Sequence, residues 1–141
     1  MLLDDFIKEF SKNEGKINKN ITLGNIPHGS EALIISKISQ YFKKDILFVC
    51  ENKKKYNQTK DVLNFLEIEN TYFFPEYDTN FYDRISPNKN ITSERVKTLV
   101  ELTDSKENKI VLTTAKASTQ FIADKKNNYY KNINLRVGID Y

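Results

Sequence analysis

The chain has 141 residues, of which 39% are hydrophobic and 29% are charged, a composition that suits one globular domain and excludes a disordered tail. Its net charge of +3 permits contact with nucleic acid without indicating it, because nucleic-acid-binding domains usually have a pI above about 9 and clustered basic residues. Cys50 is the single cysteine, which excludes a disulfide framework, and no apolar run approaches the ~20 residues of a membrane span, so we expect a cytoplasmic protein.

The N-terminal segment predicts a helix, a strand and a second helix. Apolar residues at the start of the chain share one face of a short helix: Leu2, Leu3, Phe6, Ile7 and Phe10. The stretch NKNITLGN, residues 18–25, predicts a strand that ends at Gly24. The next apolar stripe has helical spacing over roughly four turns: Ile34, Ile35, Ile38, Tyr41 and Phe42.

The middle of the chain predicts two strands on either side of a capped helix. DILFVC, residues 45–50, is a continuous apolar run, typical of a strand that is covered on both faces. Asn52 is suited to cap the next helix, whose inward face recurs at Tyr56, Thr59, Leu63 and Leu66. NTYFF, residues 70–74, predicts a further strand, which Pro75 ends.

The second half of the chain begins with an irregular segment between Pro75 and Pro87. Asn88 or Asn90 is then expected to cap a helix that turns four side chains inward: Val96, Leu99, Val100 and Thr103. KIVLTT, residues 109–114, predicts a strand, and AKASTQFI, residues 115–122, a short helix. We therefore expect an α/β domain over residues 1–123, followed over residues 124–141 by a linker and the start of a second, truncated domain.

Strands that alternate with helices of this length predict a three-layer α/β fold, with a parallel sheet flanked by helices. In such sheets, ligands bind beyond the carboxyl ends of the strands. The loop from Gly24 to Ser30 is expected at that end.

The stretch TLGNIPHGSEALII has the glycine spacing of a phosphate-binding loop, GxxxxGK[ST], between Gly24 and Gly29. The positions of the Lys and of the Ser or Thr are held instead by Ser30 and Glu31, and Pro27 lacks one of the N–H donors. Two charges about 4 Å apart interact by roughly 4 kcal/mol at an effective dielectric near 20, so exchanging an attractive lysine for a repulsive glutamate is costly. We predict a degenerate nucleotide loop that binds no nucleotide, and no cofactor for this chain.

Other polar groups admit a functional and a plainer interpretation. Glu76, Asp78 and Asp83 could gather a metal ion, but acids in a proline-bounded loop more often serve turns, and we expect no metal. His28, the only histidine, has no nucleophile motif near it, so no catalytic residue is predicted. The run from Lys53 to Lys55 could touch phosphate, and Tyr129 with Tyr130 could stack on bases, although solvated or partner-covered side chains explain both.

The segment FFPEYDTNFYDRISPNKNITSERVKTLVEL, residues 73–102, resembles the N-terminal module of the bacterial transcription-repair coupling factors, the Mfd family. The residues that carry the resemblance occur in the family's order: Pro75, Asp78, Tyr82, Asp83, Ser86, Pro87, Ser93, Arg95, Leu99 and Leu102. IPHGSEALIISKI resembles the family's degenerate loop and helix, and the likeness extends from about Ile21 to Val137. Phe81 departs from the pattern, since the family usually has Pro there.

The resemblance implies a RecA-like fold, that of the first domain of the excision-repair protein UvrB, without ATP hydrolysis. The stretch YDTNFYDRISP, residues 77–87, is too short for UvrB's damage-probing hairpin. In the family, the module presents, together with the next domain, a surface that recruits UvrA, and it helps to hold the factor in an autoinhibited state. RNA polymerase and DNA would be bound by absent domains, and ATP with magnesium by an absent motor. We expect a fragment of such a factor, in which Arg95 pairs with an acid of the loop and ties the loop to its helix.

Two alternatives remain open from the residues themselves. One is a free-standing nucleotide-binding enzyme whose loop uses unorthodox residues. The other is a small nucleic-acid-binding protein that uses the run from Lys53 to Lys55 and the tyrosines Tyr129 and Tyr130.

Overall fold

The structure, a computed structural model, describes residues 22–27, 29–80, 82–104 and 108–122. Helices and strands alternate through this part of the chain. In chain order they are α1 (Ser30–Phe42), β1 (Ile46–Cys50), α2 (Lys53–Phe65), β2 (Thr71–Phe74), α3 (Lys89–Asp104), β3 (Ile110–Thr114) and α4 (Ala115–Thr119).

The described strands form a parallel sheet in the order β1-β3-β2, so β3 lies in the centre. Leu112 of β3 lies opposite Phe48 of β1 and Phe73 of β2. Because side chains alternate along a strand, these three residues share one face of the sheet. The predicted parallel α/β architecture is confirmed at this level.

Helices α1 and α2 cover that face. The buried core joins both helices to the sheet and consists of Ala32, Cys50, Tyr56, Leu63 and Leu112. Helix α2 begins where the sequence predicts, because the Asn52 side chain accepts a hydrogen bond from the Lys55 N–H at 2.9 Å.

Helix α3 covers the opposite face over β2, which makes the third layer. The Arg95 guanidinium lies 4.0 Å from the centre of the Phe74 ring, and the Thr98 hydroxyl donates to the Phe73 carbonyl at 2.7 Å. Of the two predicted caps, Asn88 directly precedes the helix, and its side chain accepts from the Asn90 N–H at 2.9 Å.

The inward face predicted for α3 is wrong. Arg95 and Thr98 are the residues it buries, whereas Val96 is 39% exposed and Thr103 is exposed. Leu99 and Val100 are only partly buried. The guanidinium and the hydroxyl can be buried because carbonyl oxygens and aromatic rings of β2 and its loop receive them.

The expectation that the first described strand is covered on both faces is met on one face only by the described residues. Leu47 and Val49 point away from the α1–α2 face and are 64% and 44% exposed. β1 is an edge strand, and α3 lies over the other edge, so the described helices leave this part of the sheet open.

The remaining predictions either differ from the structure or lie outside the described residues. Residues 22–25 are not strand, so the strand predicted over residues 18–25 is absent from its described part. The last helix ends at Thr119, earlier than predicted, because Gln120 is already extended with ψ 150°. The predicted N-terminal helix and the domain boundary at residues 123/124 lie outside the described residues. Among the described helices, none is long and apolar enough to cross a membrane.

Candidate functional site

The glycine-spaced loop ends in a tight turn at the start of α1. Gly29 has φ 91° and ψ −17°, a left-handed conformation that a residue with a side chain rarely adopts. The Ser30 N–H donates to the Pro27 carbonyl at 3.1 Å. Gly24 and Gly29 therefore frame a turn, and the second glycine is required by its backbone conformation.

The carboxylate of Glu31 folds back over this turn. One of its oxygens accepts from the Gly29 N–H at 2.8 Å, and the other pairs with the Lys55 ammonium. Both side chains are largely shielded, at 17% exposed for Glu31 and 19% for Lys55. Desolvation raises the pKa of Glu31, but the hydrogen bonds from Lys55 and from backbone N–H groups outweigh it and leave the pKa below its ordinary value.

This pair fixes the position of the loop in the fold. Lys55 lies in the first turn of α2, which follows the carboxyl end of β1. The loop before α1 therefore lies at the carboxyl edge of the sheet, as predicted. Of the run from Lys53 to Lys55, the last member is committed to Glu31, while Lys53 and Lys54 are exposed.

A phosphate cradle needs free backbone N–H groups in such a turn. Here Pro27 has no N–H, Gly29 donates to the carboxylate of Glu31, and Ser30 donates to a carbonyl. His28 lies outside the described residues. The described donors at positions 29 and 30 are thus already used within the chain, and the carboxylate adds a negative charge where a phosphate would lie.

Two threonines close the carboxyl end of β3. The Thr113 hydroxyl donates to the Phe74 carbonyl at 3.0 Å. The Thr114 hydroxyl donates to Glu76 at 2.9 Å and accepts from the Ala117 N–H at 3.0 Å, so it caps α4 and fixes the start of the loop after β2. These hydroxyls act as structural links between β2, β3 and α4.

Arg95 ties the loop that follows β2 to α3, as predicted, but the hydrogen bonds described for its guanidinium go to a carbonyl and an amide rather than to the predicted acid. Its guanidinium is stacked between the rings of Phe74 and Tyr77, at 4.0 and 4.1 Å from their centres. It donates to the Pro75 carbonyl at 2.6 Å and to the Gln120 side chain at 3.3 Å. The same Gln120 oxygen accepts from the Tyr77 N–H at 2.9 Å, so α3, the loop and the end of α4 meet at one buried cation.

The acids of this loop make separate contacts. Asp78 accepts from the Asn88 N–H at 3.1 Å, and Asp83 accepts from the Asn80 N–H at 2.7 Å. Within the described ranges, no group of three or more His, Cys, Asp or Glu side chains could hold a metal ion. The turn interpretation is therefore supported for Asp83, whereas Asp78 joins the loop to the start of α3 and Glu76 accepts from Thr114.

The tip of the same loop is open to solvent. Tyr82 is 94% exposed and Ile85 is 75% exposed, and Ser86 is also exposed. Next to Pro87, an open groove of about 410 Å³ separates the loop from the end of α4, where Phe121 is 75% exposed. Large apolar side chains that are this exposed and adjacent mark a contact surface more often than a free one.

Buried polar groups behind the loop have no catalytic arrangement. Cys50 is 2% exposed, and burial raises the pKa of its thiol. Burial also raises the pKa of Tyr56, whose hydroxyl is enclosed in the same core. An inert thiol and a neutral phenol fit a structural role.

Two sets of contacts that organise these loops are not predicted from the sequence. The pairing of Glu31 with Lys55 joins residues that are 24 positions apart, and nothing local to either residue indicates it. The sequence predicts Gln120 only as part of a short helix, whereas in the structure its side-chain oxygen accepts hydrogen bonds from both Arg95 and Tyr77.

Comparison with known proteins gives consistent matches. The chain is 49% identical over 74 residues, 52% of its length, to the transcription-repair-coupling factor of Rickettsia bellii. It is 39% identical over 82 residues to that of Rickettsia conorii, and 31% identical over 90 residues, 64% of the chain, to that of Haemophilus influenzae. This chain is similar to part of the transcription-repair-coupling factors.

The similarity covers a small part of much longer relatives. The chain spans about 7% of the two Rickettsia coupling factors and 8% of the Haemophilus coupling factor. No family model and no solved structure matches the chain. The family resemblance predicted from residues 73–102 is therefore confirmed, and the three-strand parallel sheet is compatible with a RecA-like fold.

Proposed function

We propose that this chain is a non-catalytic interaction module of a transcription-repair coupling factor, with the fold of the first UvrB domain and a degenerate nucleotide loop. In transcription-coupled nucleotide excision repair, it helps to recruit UvrA. It also helps to regulate an ATP-driven DNA translocase that displaces stalled RNA polymerase. The polymerase, the DNA and the nucleotide with its magnesium are bound by other parts of the parent protein.

The observation that carries the non-catalytic assignment is the carboxylate of Glu31. It occupies the Gly29 N–H and is neutralised by Lys55, so the loop carries its own anion and its own cation. A nucleotide phosphate would have to displace this pair, and Ser30 offers no charge in return. The loop acts as a structural turn, and the module needs no cofactor.

The observation that supports a partner-binding role is the open loop after β2. Its base is fixed by Arg95, while Tyr82 is exposed at its tip and Ile85 lines an open groove with Phe121. Exposed aromatic and aliphatic groups on a loop with an anchored base can give binding energy at a reduced entropic cost. We assign this surface to contact with UvrA.

A binding titration tests the recruitment role. The 141-residue chain is tethered to a sensor and UvrA is added over a concentration series. We expect saturable binding that the double substitution Tyr82→Ser and Ile85→Ser weakens by about tenfold or more, as for a binding hot spot. The matched control is Phe65→Ser, which removes a side chain that is 85% exposed at the end of α2 and leaves binding unchanged.

The outcomes separate the parts of the proposal. Failure of the wild-type chain to bind UvrA would overturn the recruitment role. Equal losses in the double variant and in the Phe65 variant would overturn the assignment of the loop. Salt-dependent binding to DNA alone would favour the nucleic-acid-binding alternative instead.

A further inference from the structure

One apolar part of the sheet has no cover among the described elements. Leu47 and Val49 of β1 are 64% and 44% exposed, and Val111 of β3 lies opposite Leu47 on the same face. Parallel sheets normally have both faces covered, because their strands are apolar on both sides. The described chain covers only one face of β1.

The described helices are committed elsewhere. Helices α1 and α2 pack on the opposite face, around Leu112. Helix α3 lies on the open side, but it packs over Phe74 of β2, at the other edge of the sheet. Helix α4 contacts β1 as well but leaves Leu47 and Val49 exposed, so the space above these two side chains is left for a segment outside the described elements.

The N-terminal segment has the composition that such a cover needs. Five large apolar residues recur at helical spacing within the first ten positions: Leu2, Leu3, Phe6, Ile7 and Phe10. The positions between them are charged, at Asp4, Asp5, Lys8 and Glu9, which gives one apolar and one polar side. At the other end of the chain, residues 123–132 are mostly polar, and the apolar residues after them alternate with period two, a strand pattern rather than a helical stripe: Ile133, Leu135, Val137 and Ile139.

The connection between Phe10 and Thr22 is also long enough for the N-terminal segment to reach this face. Phe10 is twelve residues before Thr22, where the described chain begins, and twelve extended residues span up to about 40 Å. The described sheet is three strands wide, so its two inter-strand spacings amount to only about 10 Å. A connection of this length reaches any point on the open face.

We propose that the amphipathic segment of residues 2–10 docks on the open face of β1 and covers Leu47, Val49 and Val111. The segment completes the second layer beside α3. Helix against sheet is the packing that buries an apolar stripe on one side and an apolar sheet face on the other.

Cross-linking tests the docking directly. In a Cys50→Ala background, Phe6→Cys is combined with Leu47→Cys and treated with a short bismaleimide. We expect an intramolecular cross-link to form about tenfold faster than in either control pair, because docking raises the effective concentration of the two thiols. The controls are Lys8→Cys with Leu47→Cys, which uses the polar side of the segment, and Phe6→Cys with Phe65→Cys, which uses an exposed residue elsewhere.

The results are decisive in each direction. Equal rates for all three pairs would overturn the proposal. A cross-link that forms only between two chains would show that a second copy covers the face. This result would also overturn the proposal.

A thermal measurement gives an independent test that keeps Cys50. With the segment docked, Leu47→Lys lowers Tm by about 3 °C or more, because it places a charge in the covered face. In a chain that also carries Phe6→Ser and Phe10→Ser, the same substitution has little further effect. Leu33→Lys, at a residue 46% exposed on α1, is the control and shifts Tm alike in both backgrounds. Equal shifts for Leu47→Lys in the two backgrounds would contradict docking.

Discussion

Two loops lie at the carboxyl edge of this sheet, and they use their polar groups in opposite ways. The loop before α1 closes on itself, because Glu31 takes the Gly29 N–H and is paired with Lys55. The loop after β2 is anchored at its base by Arg95 and leaves Tyr82 94% exposed at its tip. A site whose polar groups are satisfied internally has little to offer a ligand, whereas an anchored base with an exposed tip can present a surface to a partner.

The largest expected effect comes from the base of the open loop. Arg95→Ala removes stacking on two rings and hydrogen bonds to Pro75 and Gln120, so we expect the free energy of unfolding to fall by about 3 kcal/mol. Urea denaturation measures it. Arg84→Ala, at an exposed arginine of the same loop, is the control and stays within about 0.5 kcal/mol of wild type. A loss below about 1 kcal/mol for Arg95→Ala would mean that the base of the loop is not anchored there.

The second effect tests the link between the open loop and β3. Thr114→Val keeps the shape of the side chain but leaves Glu76 and the Ala117 N–H without their partner, for a cost of about 2 kcal/mol. Thr114→Ser retains the hydroxyl and is the matched control, with less than half that cost. Equal losses in the two variants would show that packing of the methyl group, rather than the hydroxyl, matters at this position.

The third effect concerns the closed loop and depends on pH. Because the folded-state pKa of Glu31 is lowered, its ionised form stabilises the fold above the ordinary value of 4.5, and this contribution is lost as the pH falls through the lowered pKa. At pH 7, Glu31→Gln should cost about 1 kcal/mol. The difference from wild type should shrink in denaturation curves recorded below pH 4.5. Glu69→Gln, at an exposed glutamate, is the control and should change the free energy of unfolding by no more than about 0.5 kcal/mol. A Glu31→Gln loss that is constant with pH would contradict the pairing with Lys55.

The smallest effect is expected at the tip of the open loop. Tyr82→Ser should change the free energy of unfolding by no more than about 0.5 kcal/mol, because the side chain is 94% exposed. Denaturation of this variant beside Arg95→Ala separates the tip from the base. A large loss at Tyr82 would assign the tip a structural role and weaken its assignment to a partner.

Local signals in the sequence predicted the elements well. Asn52 lies before a helical apolar stripe, and a capping side chain acts within one turn, so the start of α2 can be read from adjacent residues. The short apolar runs of β1, β2 and β3 are likewise bounded by polar or turn-forming residues, so these strands can also be predicted from adjacent residues. The glycines of the first loop likewise predicted a turn at Gly29.

Contacts between distant residues could not be predicted in this way. Helical periodicity placed Val96 inward and gave no sign that Arg95 is buried, but the rings of Phe74 and Tyr77 make a buried site for the guanidinium. The sequence marked Glu31 as a misfit in the loop, yet only the packing of α1 beside α2 shows that Lys55 neutralises it. The exposure of Leu47 follows from strand order, which alternating elements do not specify.

The most direct test of the closed loop is an NMR titration of the backbone amides with ATP and magnesium. If Glu31 holds the Gly29 N–H, the Gly29 and Ser30 resonances keep their positions up to millimolar nucleotide. Saturable shifts of both amides in the wild-type chain would contradict the account, since phosphate would then occupy the turn that we assign to the chain's own carboxylate.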